Sequence, residues 1–172
     1  MPIQTTYNFT HDALQKGMIQ DFLPTERITA FSDEVINFGF GVVYDSAVGN
    51  ENRPKVAIPS STGFTFLGVA CHTHKQNTGG DDTLGTLTTT EEAEYAIGDD
   101  ITVLKKGRIV VYSEQAVDLD DDVYLRHTTT TTENPGDFRT DADTDKADQI
   151  TQARWVSKTS GAGLAVIEIN IP

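Results

Sequence analysis

The stretch that decides the fold is residues 97–113, IGDDITVLKKGRIVVYS. Apolar and β-branched residues lie on both sides of Lys106-Gly107, which is typical of two β-strands joined by a short turn. The glycine can adopt the positive φ that a two-residue hairpin turn needs. The pattern therefore predicts an antiparallel hairpin that reverses direction at Lys106-Gly107.

The register of this hairpin would divide its apolar side chains between two faces. One face receives Ile101, Val103, Val110 and Tyr112. The opposite face receives Leu104, Ile109 and Val111. Because both faces are largely apolar, both are expected to be covered, by a barrel, by a sandwich or by a neighbouring subunit.

Further strand patterns lie on both sides of this stretch. They are EVINFGFGVVYD (34–45), KVAIP (55–59), FTFLGVACHTH (64–74), VYLRH (123–127), ARWVSK (153–158) and GLAVIEINIP (163–172). The last run alternates apolar and polar side chains with the period of two that a β-strand shows. The fold class predicted is all-β: a compact β-barrel or β-sandwich of short antiparallel strands.

The first 33 residues show no strong period of either kind. We expect residues 1–33 to form an extended N-terminal arm and residues 34–172 to form a single β domain. The arm carries apolar side chains with no obvious core to join, namely Tyr7, Phe9, Phe22 and Leu23. These side chains are predicted to contact another protein or a neighbouring subunit, as is the 101–112 hairpin face.

Composition narrows the possible partners. The chain has 13 basic and 26 acidic residues and a formal net charge of −13, so it would repel nucleic acid and anionic membranes. The single cysteine, Cys71, rules out an internal disulfide framework. The N-terminal residues have no signal-peptide pattern, and we expect synthesis and folding in a cytoplasm.

Residues that could carry chemistry are few. Cys71, His72 and His74 form a cluster of metal-ligand types, but a zinc site needs more converging ligands than this run supplies. Residues 141–152 begin like a calcium loop but lack its required glycine and glutamate, which leaves open a weaker cation site there or at residues 118–122. No nucleophile or phosphate-binding motif stands out. We therefore expect a non-enzymatic protein with no cofactor and no metal.

Trp155 is the one tryptophan of the chain. A tryptophan of this kind is either a core anchor or an interface hot spot. Both readings stay open at the level of sequence, and Trp155 is included among the predicted interface residues.

Several segments together resemble the structural cement, or capsid decoration, proteins of tailed bacteriophages. The resemblance is carried by their order: GVA (68–70), the stretch 98–111, DVYLR (122–126), GDFRTDA (136–142), ARW (153–155) and GLAVIEINIP (163–172). The CHTH run at 71–74 and the threonines at 128–132 depart from the pattern.

The resemblance implies a virion protein that binds the outer surface of an expanded HK97-type shell. It implies a bridge between neighbouring major capsid subunits, made by a homotrimer or a homodimer, with the trimer favoured. The alternative function is a host-surface or carbohydrate-binding β module of a phage tail or fibre. Such a module would be expected to show clustered exposed aromatic residues, which this sequence lacks.

Overall fold

The computed structural model describes residues 15–20, 24–45, 53–72 and 94–172. These residues form strands, turns and loops without a helix, and the all-β prediction is confirmed. The described residues contain twelve strands: β1 (Glu26–Phe31), β2 (Ile36–Asn37), β3 (Gly41–Tyr44), β4 (Val56–Ala57), β5 (Phe66–Ala70), β6 (Glu94–Tyr95), β7 (Asp100–Ser113), β8 (Tyr124–Arg126), β9 (Phe138–Arg139), β10 (Ala147–Gln149), β11 (Ala153–Trp155) and β12 (Gly163–Asn170).

The 14-residue strand β7 is the element on which the other strands assemble. Its first half pairs with β1 on one side and with β5 on the other. Its second half pairs antiparallel with all of β12. Because β7 continues through Lys106 and Gly107 without reversing, the predicted hairpin is wrong.

The feature at this point of β7 is a β-bulge followed by a bend. Glu26 pairs with Lys106 and Arg27 pairs with Leu104, so Lys105 is an extra residue on the β7 side. Gly107 follows with a φ of 131°. Side chains of a strand alternate between its two faces, so an extra residue moves every side chain beyond it to the opposite face. A tight turn has the same effect on the alternation.

The predicted separation of Ile101 and Val103 from Leu104, Ile109 and Val111 is therefore correct although the turn is not. Leu104, Ile109 and Val111 lie in one hydrophobic cluster. Ile101 and Val103 lie in a second cluster. Both faces of β7 are covered within a single subunit.

The main sheet follows the order β10–β8–β9–β7–β5–β3–β4, with β1 and β12 also paired to β7 and β11 paired to β12. The β7–β9 contact is parallel, and the other strand pairs are antiparallel. A separate two-stranded sheet joins β2 and β6. A bridge between Phe31 and Lys55 links the end of β1 to the start of β4, so this half of the sheet curls around the second cluster.

The N-terminal stretch expected as an arm contributes to this sheet. The Gly17 amide donates to the Val110 carbonyl over 2.8 Å, and the Val110 amide donates to Met18 over 2.9 Å. Gly17 (φ 78°) passes so close to its neighbours that a Cβ there would lie 2.6 Å from the His72 backbone nitrogen. The arm stays a prediction for residues 1–14 and 21–23, which lie outside the described residues.

Candidate functional site

Three buried charged side chains meet at the end of β7. The Glu114 side chain is 2% exposed, that of Arg126 is fully buried and that of Arg139 is 8% exposed. Arg126 Nη2 and Arg139 Nη1 each donate to Glu114 Oε2 over 2.8 Å. Arg126 Nε donates to the other oxygen, Oε1. A single carboxylate therefore holds two guanidinium groups, one from β8 and one from β9.

The loop after β9 completes this charge cluster. Asp143 Oδ2 lies 2.8 Å from Arg126 Nη2 and 3.2 Å from Arg139 Nη1. Asp141 Oδ1 accepts from Arg139 Nη2 over 2.6 Å. Residues 143–145 all have positive φ, a conformation that costs L-residues free energy unless their surroundings impose it. The arginine contacts of Asp143 supply that constraint at its own position.

The cluster shifts the pKa values of Asp141, Asp143 and Arg126. The hydrogen bond from Arg126 lowers the pKa of Asp143 below its ordinary value. Burial raises the pKa of Asp141. Hydrogen bonds from the Asp143 amide, Gln115 and Arg139 lower it by a larger amount, so the pKa lies below its ordinary value. Glu114 is the largest cause of a raised pKa at Arg126. All these shifts favour the charged forms, which is what a permanent structural clamp requires.

The clamp joins segments that are far apart in sequence. It holds the end of β7 to β8, to β9 and to the 141–146 loop, and Arg126 Nη1 also donates to the Thr128 carbonyl over 3.2 Å. Arg126, Arg139 and Asp141 stand inside the motifs DVYLR and GDFRTDA, which carry the family resemblance. The motif order was visible in the sequence, but the role of these residues was not.

Some of the residues predicted at an interface are buried, one is partly exposed, and the others lie outside the described residues. Ile101, Val103 and Val110 have no exposed surface in the subunit. Tyr112 is partly exposed, and Lys16 Nζ lies 4.9 Å from the centre of its ring. Of these four residues of β7, Tyr112 alone offers surface to a partner without rearrangement.

Trp155 lies in the first hydrophobic cluster and is 2% exposed. Its Nε1 donates to the Asp122 carbonyl over 3.1 Å, which fixes the turn before β8. It anchors the core of the subunit. The remaining predicted contacts, Tyr7, Phe9, Phe22 and Leu23, lie outside the described residues.

The candidate metal ligands have other partners. Cys71 is 2% exposed, and burial raises the pKa of its thiol to about 12. The His72 ring packs edge-on against Phe38, with centroids 4.9 Å apart, and His74 lies outside the described residues. Within the described ranges, no group of three or more His, Cys, Asp or Glu side chains is arranged to hold a metal ion.

The acidic turn at 118–122 is likewise engaged. Asp118 Oδ1 lies 2.7 Å from Lys158 Nζ, and the Asp118 amide donates to Asp121 Oδ2 over 2.7 Å. The part of the chain that the structure describes has no helix long and apolar enough to cross a membrane.

Comparison with known proteins gives a family and a fold. The family model described as structural cement protein (E217 gp24/Pam3 gp6) matches residues 3–170. A chain in the solved capsid of Myoviridae phage XM1 is similar in fold, with a TM-score of 0.69, 14% identity, and 99% of this chain and 98% of that chain covered.

A weaker likeness links this chain to the N base of the head fibre gp8.5 of bacteriophage phi29. Its TM-score is 0.44 with 12% identity, over 86% of this chain and 95% of that one. No curated protein sequence matches.

Proposed function

This chain belongs to the structural cement protein family of phages, whose role at the capsid is structural, and we propose that it binds the outer surface of an expanded HK97-type shell and bridges neighbouring major capsid subunits. The observation that carries the proposal is the family match, which spans residues 3–170 of the 172. The match covers the whole folded unit, so the structural role belongs to the unit and not to an attached segment.

The internal packing of the subunit supports a role in which it transmits force between capsid subunits. Strand β7 is covered on both faces, and residues 17–20 add backbone pairing along its second half. The Glu114 clamp fastens the end of β7 to β8 and β9. A bridge between capsid subunits must transmit force without local unfolding, and buried, cross-linked elements are the last to open.

The charge of the chain supports an outer position. A net charge of −13 disfavours contact with packaged DNA and favours docking on a basic protein surface. The protein would be made in the host cytoplasm and added to the shell from outside.

Several weak contacts can make a durable bridge. In a homotrimer or homodimer the second and third contacts with the shell are intramolecular, so avidity exceeds the affinity of each contact. Tyr112 and the N-terminal side chains Tyr7, Phe9, Phe22 and Leu23 are the proposed contact residues. Binding only the expanded lattice would stabilise that lattice by differential affinity.

The copy number of this protein in purified particles, relative to the major capsid protein, tests the proposal. A lattice cement is expected within a small factor of one copy per major capsid protein. Shells stripped of it should rupture at lower temperature and recover when it is added back. A handful of copies per particle would instead indicate a tail or fibre component and overturn the proposal.

A further inference from the structure

A groove of about 640 Å³ lies between the β2–β6 pair and the loop 127–135. Its volume is within the range of protein ligand sites. Its lining includes Glu34, Val35 and Glu94 from the region of β2 and β6, and Thr128, Thr129 and Asn134 from the loop. Thr128 and Thr129 belong to the threonine run at 128–132.

The described lining residues give the groove negative charge. Of the described residues that line it, Glu34 and Glu94 carry carboxylates, and no lysine or arginine is among them. Glu94 is exposed, and Glu34 accepts a hydrogen bond from the Ile58 amide, which fixes its carboxylate at the rim. His127 also lines the groove but is only 5% exposed. A cationic side chain laid in the groove would meet the carboxylates of Glu34 and Glu94.

The uncharged part of the lining suits a peptide backbone. Thr128, Thr129 and Asn134 are exposed, and their hydroxyl and amide groups can both donate and accept hydrogen bonds. Val35 is 39% exposed and offers apolar contact beside them. A lining that combines hydrogen-bonding groups, two carboxylates and an apolar side chain matches an extended chain that carries basic side chains.

We propose that this groove binds an extended segment of a capsid protein that bears lysine or arginine. The inference rests on the proposed function, because it names the part of the surface and the chemistry through which the protein would hold the shell. Charge complementarity selects the occupant: a basic segment gains attraction at Glu34 and Glu94, whereas an acidic segment would be repelled.

The test compares Glu94→Lys with Asp120→Lys in binding to expanded shells that lack cement. Both residues are exposed and both substitutions change the net charge from −13 to −11, so long-range attraction falls equally. Glu94→Lys is expected to weaken binding by about tenfold more than Asp120→Lys, because it alone places a like charge in the groove. Equal binding by the two variants would contradict the proposal that the groove binds a basic segment, and it would leave the proposed function unchanged.

A second measurement separates the two proposals. Hexalysine is titrated into the isolated protein while backbone amide shifts are followed. Shifts concentrated at Glu94, Thr128 and Thr129, and lost in Glu94→Lys, are expected. Uniform shifts over the acidic surface would overturn the groove. If the parent protein failed to bind shells at all, the proposed function would fail, and the hexalysine result would still decide whether the groove selects basic segments.

Discussion

Glu114 is the residue on which the buried arginines depend. Its carboxylate accepts hydrogen bonds from both Arg126 and Arg139 while its side chain is only 2% exposed. A guanidinium group stays protonated at any ordinary pH. Removal of the Glu114 charge would therefore leave two cations in a buried site with only the partly exposed loop carboxylates to balance them.

We expect Glu114→Gln to lower the free energy of unfolding by about 3 kcal/mol, the usual cost of removing one partner from a buried ion pair. Equilibrium denaturation by urea measures the change. Glu26→Gln is the matched control: Glu26 is exposed, and its loss should cost less than about 0.5 kcal/mol. If both variants lost similar stability, the cluster would not be the clamp described here.

A second residue-scale prediction concerns acid. The pKa of Asp143 is lowered in the folded protein, chiefly by Arg126. The stability that this carboxylate contributes is therefore complete above its unfolded pKa of about 3.9 and is lost as pH falls through the lower folded value. Asp143→Asn should be less stable than the parent at pH 6, and the difference should shrink as the pH approaches 2.

Asparagine is chosen at position 143 so that backbone strain does not cause the expected loss of stability. Asparagine accepts the left-handed conformation that Asp143 adopts at φ 43°. Asp145→Asn is the control, since Asp145 shares that conformation at φ 61° and makes no ion pair among the described residues. Thermal unfolding from pH 2 to pH 6 should separate the two variants. A difference for Asp143→Asn that stayed constant with pH would contradict the ion-pair account.

The pairing within this cluster could not be predicted from the sequence. Glu114 precedes Arg126 by 12 residues and Arg139 by 25. Periodicity states which face of a strand a residue occupies, but it does not state which strand lies beside it. The chain offers 26 acidic residues, so neither arginine could be assigned a partner by composition.

At the scale of elements, β7 shows where a local pattern is ambiguous. A tight turn and a β-bulge both reverse the alternation of side chains, and both favour glycine. The grouping of Leu104 with Ile109 was therefore predictable. Whether the chain turned back at Gly107 depended on β1, β5 and β12, which pair with the two halves of β7 from other parts of the chain.

The N-terminal pairing to β7 gives a prediction at this scale. Gly17 and Gly63 have nearly the same φ, 78° and 77°, but a Cβ at Gly17 would meet backbone atoms whereas one at Gly63 would meet nothing within 4 Å. Gly63→Ala should cost about 1 kcal/mol for its left-handed backbone. Gly17→Ala should cost about 1–3 kcal/mol more, because the backbone around it must move.

Amide hydrogen exchange locates the damage. The Val110 amide, which donates to Met18, should lose protection in Gly17→Ala and keep it in Gly63→Ala. Equal stability of the two variants, with Val110 protected in both, would show that residues 15–20 do not depend on the close approach at Gly17.

At the scale of the whole molecule, the fold class followed from patterns that do not depend on pairing. The alternation along β12 put Ala165, Ile167 and Ile169 on one face, and all three are buried. The two hydrophobic clusters lie on the two faces of β7, as the pattern predicted, but the strands that cover those faces could not be identified from the pattern. Ile101 and Val103, predicted as contacts with a partner, are buried in the second cluster of their own subunit.

The net charge of −13 leads to a prediction about how the whole molecule reaches the shell. Attraction to a basic docking surface acts over a Debye length, which shrinks from about 30 Å at 10 mM salt to about 10 Å at 100 mM. Long-range steering changes association rates more than dissociation rates. The association rate with empty expanded shells should therefore fall by about tenfold or more between about 10 mM and 300 mM NaCl.

A charge variant tests whether the acidic surface causes this dependence. Asp120 and Asp122 are exposed in the turn before β8, and their replacement by lysine changes the net charge from −13 to −9. The double variant should associate more slowly at low salt, depend less on salt and dissociate at nearly the parent rate. Surface-immobilised shells give both rates directly. Faster association at high salt would mean that the shell presents acidic charge and that contact is made against electrostatic repulsion.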